Sequence, residues 1–344
     1  MNWITSMFIV ILLAGIALVG VGAAGLNYIF AVIIPYIAIA TFIIGMVARV
    51  IYWSRSPVPF RIPTTCGQEK SLAWVKNNNL DNPHTLWGVI GRMFLEIFFF
   101  RSLFRNTKMT LKNNGKLVYG ANQWLWLAGL AFHYSFLIIF LRHFKFFAEP
   151  VPQWVSALQF MDGFFQIGVP SLLLTDLIIL GALTYLFLRR VVLPQIRYIS
   201  MPGDFFPLFL IGGIVTSGIC MRHFSKVDIV GVKEIGTGLL SFNPVVPDGI
   251  GVVFYIHFFL VMTLIAYFPF SKLIHMGGVF MSPTRNLANN NRARRHVNPW
   301  NYPVKTHSYE EWEDEFRDVM AEAGMPLEKQ PQASAADEAA EKEE

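Results

Sequence analysis

The stretch FHYSFLIIFLRHF, residues 132–144, decides the fold, because it is an apolar segment of membrane character that carries two histidines. His133 and His143 lie ten residues apart in it, at a depth where water is scarce. The rest of the chain matches this segment: 54% of its 344 residues are hydrophobic, and 31 are phenylalanine. That composition excludes an ordinary soluble domain and predicts a polytopic membrane protein.

The two cysteines limit the chemistry that the chain can support. Cys66 and Cys220 are too few for a disulfide framework or a cysteine-rich metal site, so any metal must be bound mainly by histidine. Cys66 lies in a predicted loop, where its thiol is either a redox contact or without a special role. Cys220 is expected to fill space in a helix.

Hydropathy and charge predict the topology. A helix needs about 20 apolar residues to cross a bilayer, and six segments qualify: 4–24, 28–52, 123–147, 165–188, 205–223 and 251–274. Lys and Arg concentrate in the loops 54–121 and 189–204 and in the stretch 276–305, whereas the loops 148–164 and 225–250 carry no such excess. Because basic loops stay in the cytoplasm, we predict an all-α membrane protein of six transmembrane helices with both termini in the cytoplasm.

Two further segments have a distinct character. LWGVIGRMFLEIFFFRSLFR, residues 86–105, is apolar but carries four charges, which predicts a helix that lies in the inner interface or docks a partner. Residues 306–344 contain 3 Lys/Arg against 13 Asp/Glu, whereas residues 1–305 contain 25 against 10. We predict an acidic cytoplasmic tail over 281–344, partly disordered from 321, in which SYEEWEDEFRDVM forms a short amphipathic helix capped by Ser308.

The sixth predicted span supplies two partners for the histidines of the third. Its sequence, YIHFFLVMTLIAYFPFSKLIHMGG, places His257 near the outer end and His275 near the inner end. Because the two spans run in opposite directions, we expect His133 to face His275 and His143 to face His257. Two imidazoles across a bundle core are the ligand set of a six-coordinate b-type haem. The alternative for any one of them is a hydrogen-bonded core residue or a proton relay.

The spacing of the histidines conflicts with straight helices. Ten residues on the third span rise about 15 Å, whereas the eighteen from His257 to His275 rise about 27 Å. The two pairs therefore cannot both lie level unless the sixth helix departs from a straight course. A kink at Pro269, together with helix tilt, is the expected remedy.

These residues resemble a known family. The pieces YIAIATFIIGMVARV, FHYSFLIIFLRHF and HFFLVMTLIAYFPFSKLIH resemble the gamma-subunit family of respiratory nitrate reductase, a dihaem cytochrome b, over about residues 28–280. PFRIPTTCGQEKSL and GRMFLEIFFFRSLFRNTK are similar to the M subunits of the Dsr membrane complexes of sulfate reducers and sulfur oxidisers. The resemblance implies a four- or five-helix cytochrome b bundle within 27–280, whereas the additional N-terminal helix over 1–26, the longer inner loop 54–121 and the acidic tail depart from nitrate reductase.

The resemblance also implies cofactors and partners. It implies two b-type haems in the cytoplasmic (inner) membrane, the inner bound by His133 and His275 and the outer by His143 and His257. Menaquinol is the implied substrate, and a cytoplasmic iron–sulfur protein related to heterodisulfide reductase, the K subunit, is the implied partner in dissimilatory sulfur metabolism. The implied larger assembly adds a periplasmic multihaem cytochrome c, a periplasmic ferredoxin-like iron–sulfur protein and a second membrane subunit, the J, O and P subunits.

Five residues near the outer side are candidates for quinone or haem contacts. A quinol releases protons with its electrons, so Asp162 and the deeper Asp176 are candidates, with an interfacial cap and a hydrogen bond to a neighbouring helix as the structural alternatives. Arg142 and Arg222 are candidates to pair with haem propionates, with snorkelling to lipid phosphates as the alternative for Arg222. His223 is a candidate for the quinone site. In nitrate reductases a lysine near the start of the fourth span is linked to quinol binding. This sequence has no lysine at the matching place.

The expected function is electron transfer from menaquinol near the outer face to an iron–sulfur partner on the basic inner surface. Three alternatives stay open. In a transporter or proton channel the histidines would relay protons, and the purified protein would show no Soret absorption. A structural anchor would only tether a soluble enzyme, and a subunit of a nitrate reductase would have a partner that contains molybdenum.

Overall fold

The computed structural model describes residues 2–56, 70, 72–104, 108–163, 171–290, 294, 303 and 305–329. The described residues fall into two compact units, a larger one that holds the apolar helices and a smaller one that holds an acidic helix. Cys66 lies outside the described residues, so its predicted role stays a prediction.

Helices make up most of the larger unit. They are α1 (Asn2–Gly22), α2 (Ile34–Ser54, preceded by a π-helical turn at Ile29–Ile33), α3 (Leu86–Phe99), α4 (Arg101–Phe104), α5 (Gln123–Arg142), α6 (Gln153–Asp162), α7 (Leu174–Val192), α8 (Pro194–Ile199), α9 (Pro202–His223), α10 (Ile229–Leu240), α11 (Val252–Tyr267), α12 (His275–Gly278) and α13 (Pro283–Asn286). The all-α prediction missed one antiparallel hairpin, β1 (Lys108–Leu111) with β2 (Leu117–Gly120), in the predicted inner loop.

Five helical stretches among the described residues are long and apolar enough to cross a membrane. They are Trp3–Gly22, Ile29–Ser54, Gln123–Phe146, Pro202–His223 and Val252–Phe270. The predicted fourth span, 165–188, corresponds to α7, which begins later and includes Asp176, Arg189 and Arg190. The chain is a multi-pass membrane protein, and the sixth span and the orientation of the termini stay predictions.

The centre of the bundle is an apolar core shared by α1, α7, α9 and α11. Val10, Ile179, Leu210 and Leu260 are buried together there. Gly213 on α9 permits this packing, because a Cβ at that position would lie 3.3 Å from Val10 and 3.4 Å from Leu260. The first helix therefore packs into the bundle with the others.

Two helices that were predicted as loops cover the end of the bundle that the sequence predicts to be the outer one. α6 lies in the predicted loop 148–164, and α10 lies in the predicted loop 225–250. Asp228 caps α10 by accepting hydrogen bonds from the backbone N–H groups of Val230 (3.0 Å) and Gly231 (3.2 Å). A Cβ at Gly236 would lie 2.6 Å from the carbonyl oxygen of Phe146, so α10 packs directly on the end of the third span.

The predicted interfacial helix 86–105 is divided into α3 and α4 at Phe100. This residue adopts the left-handed conformation (φ 49°, ψ 45°), which is unusual for a bulky side chain. The end of α3 is fixed to α5, because Trp126 Nε1 donates to the Phe99 carbonyl (2.7 Å) and Tyr134 Oη donates to the Phe98 carbonyl (2.9 Å). The position of this segment relative to the lipid stays a prediction.

The last apolar helix ends before the second histidine of the sixth predicted span. α11 stops at Tyr267, and Phe268–Phe270 forms a 3-10 turn. Ser271 is extended (φ −116°, ψ 177°). Lys272–Ile274 then forms a second 3-10 turn, and α12 begins at His275. The chain therefore leaves the helical course at Pro269, as a proline inside a helix predicts.

Helix α2 holds this break from one side. A Cβ at Gly45 would lie 2.8 Å from Cβ of Pro269, so only glycine admits the ring at this distance. Arg49, one turn further along α2, donates to the Pro269 carbonyl from Nε and Nη2, both at 3.4 Å. The carbonyl group near the interrupted helix end thus has side-chain donors.

The smaller unit contains α14 (Tyr309–Glu322). Ser308 Oγ accepts from the backbone N–H of Glu311 (3.2 Å), and the Glu311 carboxylate accepts from the backbone N–H of Ser308 (2.9 Å). The predicted cap and helix are therefore present in the structure. The described tail stays folded through residue 329, and residues 330–344 lie outside the described residues.

Candidate functional site

The inner histidine pair lies between α5 and the start of α12. The ring centres of His133 and His275 are 5.9 Å apart, and their planes are inclined by 85°. The ring of Phe100 lies edge-on to His133 at 4.9 Å. The unusual backbone of Phe100 thus places an aromatic ring against one imidazole of the predicted pair.

The outer pair lies between the end of α5 and the first turns of α11. The ring centres of His143 and His257 are 6.3 Å apart, and their planes are nearly parallel, at 9°. Helix α9 supports His257, because a Cβ at Gly218 would lie 3.3 Å from its Cε1. The structure therefore brings together both predicted pairs.

All four imidazoles use the same ring nitrogen, Nδ1, to contact a backbone carbonyl. Each places Nδ1 within hydrogen-bonding distance of a backbone carbonyl oxygen: His133 with Gly129 (2.7 Å), His143 with Ile139 (2.6 Å), His257 with Ile214 (3.0 Å) and His275 with Lys272 (2.8 Å). A carbonyl only accepts, so Nδ1 carries the proton and Nε2 keeps a free lone pair. No hydrogen bond among the described residues uses any of these Nε2 atoms. This is the tautomer that binds a metal through Nε2.

The dimensions of both pairs fit one iron between two rings. An imidazole nitrogen bonds a metal at about 2 Å and lies about 1 Å from its ring centre, so two axial imidazoles hold their centres about 6 Å apart. The observed 5.9 and 6.3 Å agree with that spacing. No group of three or more His, Cys, Asp or Glu side chains suited to a bare metal ion occurs within the described ranges. The pairs therefore fit the predicted haems better than a bare ion.

The break after α11 resolves the conflict between the histidine spacings. From His257 to Tyr267 α11 runs ten residues, the same interval as from His133 to His143 on α5. Both intervals rise about 15 Å. The remaining eight residues to His275 follow the turns of the broken segment, so this imidazole reaches the level of its partner. The expected departure at Pro269 is confirmed.

Next to the outer pair, a buried ion cluster joins α5, α6 and α7. Arg142 contacts Asp162 at 2.7 Å and Asp176 at 3.4 Å, and these side chains are 7%, 3% and 14% exposed. Asp162 also accepts from the backbone N–H of Thr175 (2.9 Å) and from its hydroxyl (2.6 Å). Arg142 thus contacts two further candidates from the sequence, Asp162 and Asp176. Both terminal nitrogens of Arg142 contact carboxylates, and its predicted propionate contact stays a prediction.

A cavity of about 510 Å³ opens beside this cluster, and it is lined by Lys145, Val151, Val155, Ser156, Gln159, Phe160, Gly163, Ser171 and Arg222. Lys145 Nζ donates to Gln159 Oε1 at 3.3 Å. Arg222 donates to the Ser171 carbonyl from Nε (3.3 Å) and Nη2 (3.2 Å). The cavity therefore combines cations and amide groups with an apolar wall, which suits a ligand with polar ends.

Sequence reasoning missed several residues of this region. Lys145 and Gln159 were not singled out, although Lys145 follows His143 by two residues in an otherwise apolar run, which was a usable signal. Ser217 lies 3.0 Å from Nδ1 of His257, a contact between helices that no spacing rule reveals. His223 is the neighbour of Arg222, and its buried Nε2 has no hydrogen-bond partner among the described residues.

Comparison with known proteins identifies the family. A family model for the nitrate reductase gamma subunit matches residues 83–295, more than half of the chain. The chain belongs to the nitrate reductase gamma subunit family. The matched range contains all four paired histidines, the ion cluster and the cavity. The predicted resemblance to this family is confirmed.

Two archaeal relatives within the curated proteins are similar over most of their length. Each carries the name Hdr-like menaquinol oxidoreductase cytochrome b-like subunit. The relative from Archaeoglobus fulgidus is 48% identical over 282 residues, which cover 80% of this chain and 84% of the relative. The relative from Archaeoglobus profundus is 43% identical over 274 residues, which cover 78% of this chain and 81% of the relative.

The ion cluster predicts unequal effects of its two carboxylates on stability. Asp162→Asn will lower the Tm of the detergent-solubilised protein more than Asp176→Asn, because Asp162 is closer to Arg142, more buried and bonded twice to Thr175. Breaking a buried ion pair costs about 3 kcal/mol or more. Thermal unfolding of both variants checks this. Equal Tm values would show that Asp162 does not hold the three helices together.

Helix α9 offers a matched pair of glycine variants. Gly218→Val will displace His257, since the added atoms meet its Cε1, whereas Gly212→Val on the same helix has open space around the new side chain. We expect purified Gly218→Val to contain less haem than Gly212→Val, because His257 belongs to one of the predicted haem sites. The haem-to-protein ratio measures this. Full haem content in Gly218→Val would contradict the support of His257 by α9.

Proposed function

We propose that the chain is a dihaem cytochrome b subunit that transfers electrons between menaquinol and a cytoplasmic iron–sulfur subunit related to heterodisulfide reductase. The observation that carries the proposal is the set of four imidazoles with Nδ1 bound to carbonyls and ring centres about 6 Å apart in pairs. The names of the two relatives support menaquinol as the substrate and a heterodisulfide-reductase-like protein as the partner.

In this proposal, the histidines hold each haem on both faces. His133 and His275 bind the inner iron, and His143 and His257 bind the outer one. Haem bound by two histidines would supply one-electron transfer, and the two imidazoles would leave no open position for a substrate. The backbone carbonyls fix the orientation of the four imidazole rings, so each ring would present Nε2 to a haem without rearranging.

The cavity next to the outer pair is the proposed menaquinol site. Lys145 and Gln159 lie at its wall, where an ammonium group and an amide can hydrogen-bond the oxygens of a hydroquinone. Menaquinol loses two electrons and two O–H protons on oxidation. His223 Nε2 and the carboxylates of Asp162 and Asp176 are the proposed proton acceptors on this side.

Arg222 is the proposed partner of a haem propionate or of the quinol. It lines the cavity and reaches Ser171 with two of its nitrogens, so its remaining donor capacity can serve a haem propionate or the quinol. Arg142 contacts both carboxylates of the ion cluster and is proposed to hold them in position. Each assignment follows from position and donor chemistry.

The electron acceptor is proposed to dock on the cytoplasmic side. Segment α3–α4 packs against α5 and places the ring of Phe100 against His133. This segment therefore connects the inner histidine pair to the predicted cytoplasmic loop, where the acceptor would dock. The wider Dsr-type assembly in the inner membrane, with a multihaem cytochrome c, a periplasmic iron–sulfur protein and a second membrane subunit, is part of the same proposal. So is a role in sulfite reduction or sulfur oxidation.

The rival within the family is a subunit of a nitrate reductase. The two relatives favour the heterodisulfide-reductase-like complex. Both are named Hdr-like menaquinol oxidoreductase subunits, and they are 48% and 43% identical to this chain. Mass spectrometry of the subunits that co-purify with the chain distinguishes the two. A partner that contains molybdenum would overturn the proposed acceptor.

The two pairs differ in their ring angles, which gives each proposed haem its own signature. Perpendicular imidazoles give ferric low-spin haem a higher largest g value than parallel ones. His275→Ala will therefore remove a large-g signal and His257→Ala a more rhombic one, each leaving about half of the iron. Electron paramagnetic resonance of the purified chain measures this. If His257→Ala and His143→Ala removed different signals, the pairing would be wrong.

The menaquinol site is tested at its lysine. Lys145→Met keeps the apolar length of the side chain but removes its donors, so we expect about a 10-fold lower rate of haem reduction by a soluble menaquinol analogue. Lys233→Met is the control, because Lys233 pairs with Glu149 and does not line the cavity. Haem content and spectrum must stay normal in both variants. Wild-type reduction kinetics in Lys145→Met would exclude this cavity as the site.

A further inference from the structure

Helix α14 presents a row of apolar side chains to solvent. Tyr309, Trp312, Phe316 and Val319 are 49%, 39%, 41% and 64% exposed. The rings of Tyr309 and Trp312 are 5.9 Å apart, and those of Trp312 and Phe316 are also 5.9 Å apart. Their spacing of three, four and three residues places all four on one helix face. These four residues are the aromatic ridge.

The ridge is held on a rigid element. Glu313 lies on the buried face of the helix. Its carboxylate accepts hydrogen bonds from the backbone N–H groups of Glu328 (3.0 Å) and Lys329 (2.9 Å). These hydrogen bonds hold the pKa of Glu313 below its usual range. Met320 is 4% exposed. The segment after the helix therefore folds back and covers the neighbouring face, while the ridge side chains stay exposed in the described part of this unit. Rigid presentation of a side-chain row lowers the entropy cost of binding.

The second property of α14 is its negative charge. Tyr309–Glu322 contains seven acidic residues and one Arg, a net charge of −6. Acidic side chains follow one edge of the ridge: Glu311, Glu315, Asp318 and Glu322. An anionic lipid surface and a second copy of the helix would both repel this charge. Its complement is an apolar groove with Lys or Arg on the rim.

We propose that α14 is a docking helix whose aromatic ridge inserts into a basic-rimmed apolar groove on the water-soluble electron-accepting subunit. This inference rests on the proposed function for the identity of that subunit. Amphipathic helices bind grooves through anchors at this spacing, and Trp and Tyr are the side chains that most often dominate such interfaces. The acidic rim would orient the helix and make binding weaker at high salt.

The test uses the complete complex with variants of the full chain. Trp312→Ala with Phe316→Ala should reduce co-purification of the iron–sulfur subunit by about 10-fold or more. Met325→Ala is the matched control, because Met325 is 48% exposed and lies beyond the helix, off the ridge. Haem content reports the integrity of the membrane unit in each variant. Unchanged retention of the subunit in the double variant overturns the proposal.

A photo-crosslinker identifies the occupant directly. Phe316→p-benzoylphenylalanine in the complex should crosslink to the iron–sulfur subunit, whereas the same residue at Met325 should not. Crosslinks to lipid, to a second copy or within this chain would overturn the proposal. If the wild-type chain brings down no iron–sulfur subunit, the proposed function fails. If the subunit co-purifies and the ridge variants leave it bound, only the docking inference fails.

Discussion

The hydrogen bonds between four imidazoles and backbone carbonyls are the constraint on which the rest of the site depends. A histidine in an apolar bundle can present either nitrogen, and only the protonated Nδ1 tied to a carbonyl leaves Nε2 free to bind. His133 and His143 use carbonyls one turn back on their own helix, whereas His257 uses Ile214 on a neighbouring helix. The outer pair therefore depends on the packing of α9 against α11, and Gly218 is the residue that permits that packing.

The level of the inner pair depends on a different constraint. A continuous sixth helix would carry His275 about 12 Å past the level of His133, the difference between about 27 and 15 Å of rise. The chain instead changes direction after Pro269, at the extended Ser271, and the ring centres of His133 and His275 lie 5.9 Å apart. Helix α2 stabilises this break through Gly45 and Arg49. Helix α2, which is distant in sequence, thus stabilises the break that places the His275 imidazole opposite His133.

Much of this arrangement followed from the sequence, and the parts that did not have physical reasons. Apolar length and histidine spacing predicted both histidine pairs and the five spans found among the described residues, because helical periodicity and antiparallel packing are simple rules. The helices α6 and α10 were missed, since short amphipathic turns in outer loops have weak hydropathy signals. The contact of Arg142 with both Asp162 and Asp176 required the tertiary structure, because three helices supply its members.

The two ends of the proposed electron path differ in chemistry. Beside the outer pair lie an ion cluster and a cavity with Lys145 and Arg222. Beside the inner pair lies the ring of Phe100, on a segment fixed to α5 through backbone carbonyls. Oxidation of a quinol must release protons, which requires ionisable groups, whereas electron transfer to a docked protein requires only a short path through packed atoms. The cavity with Lys145 and Arg222 therefore supports the proposal of quinol chemistry at the outer pair, with electron exit at the inner one.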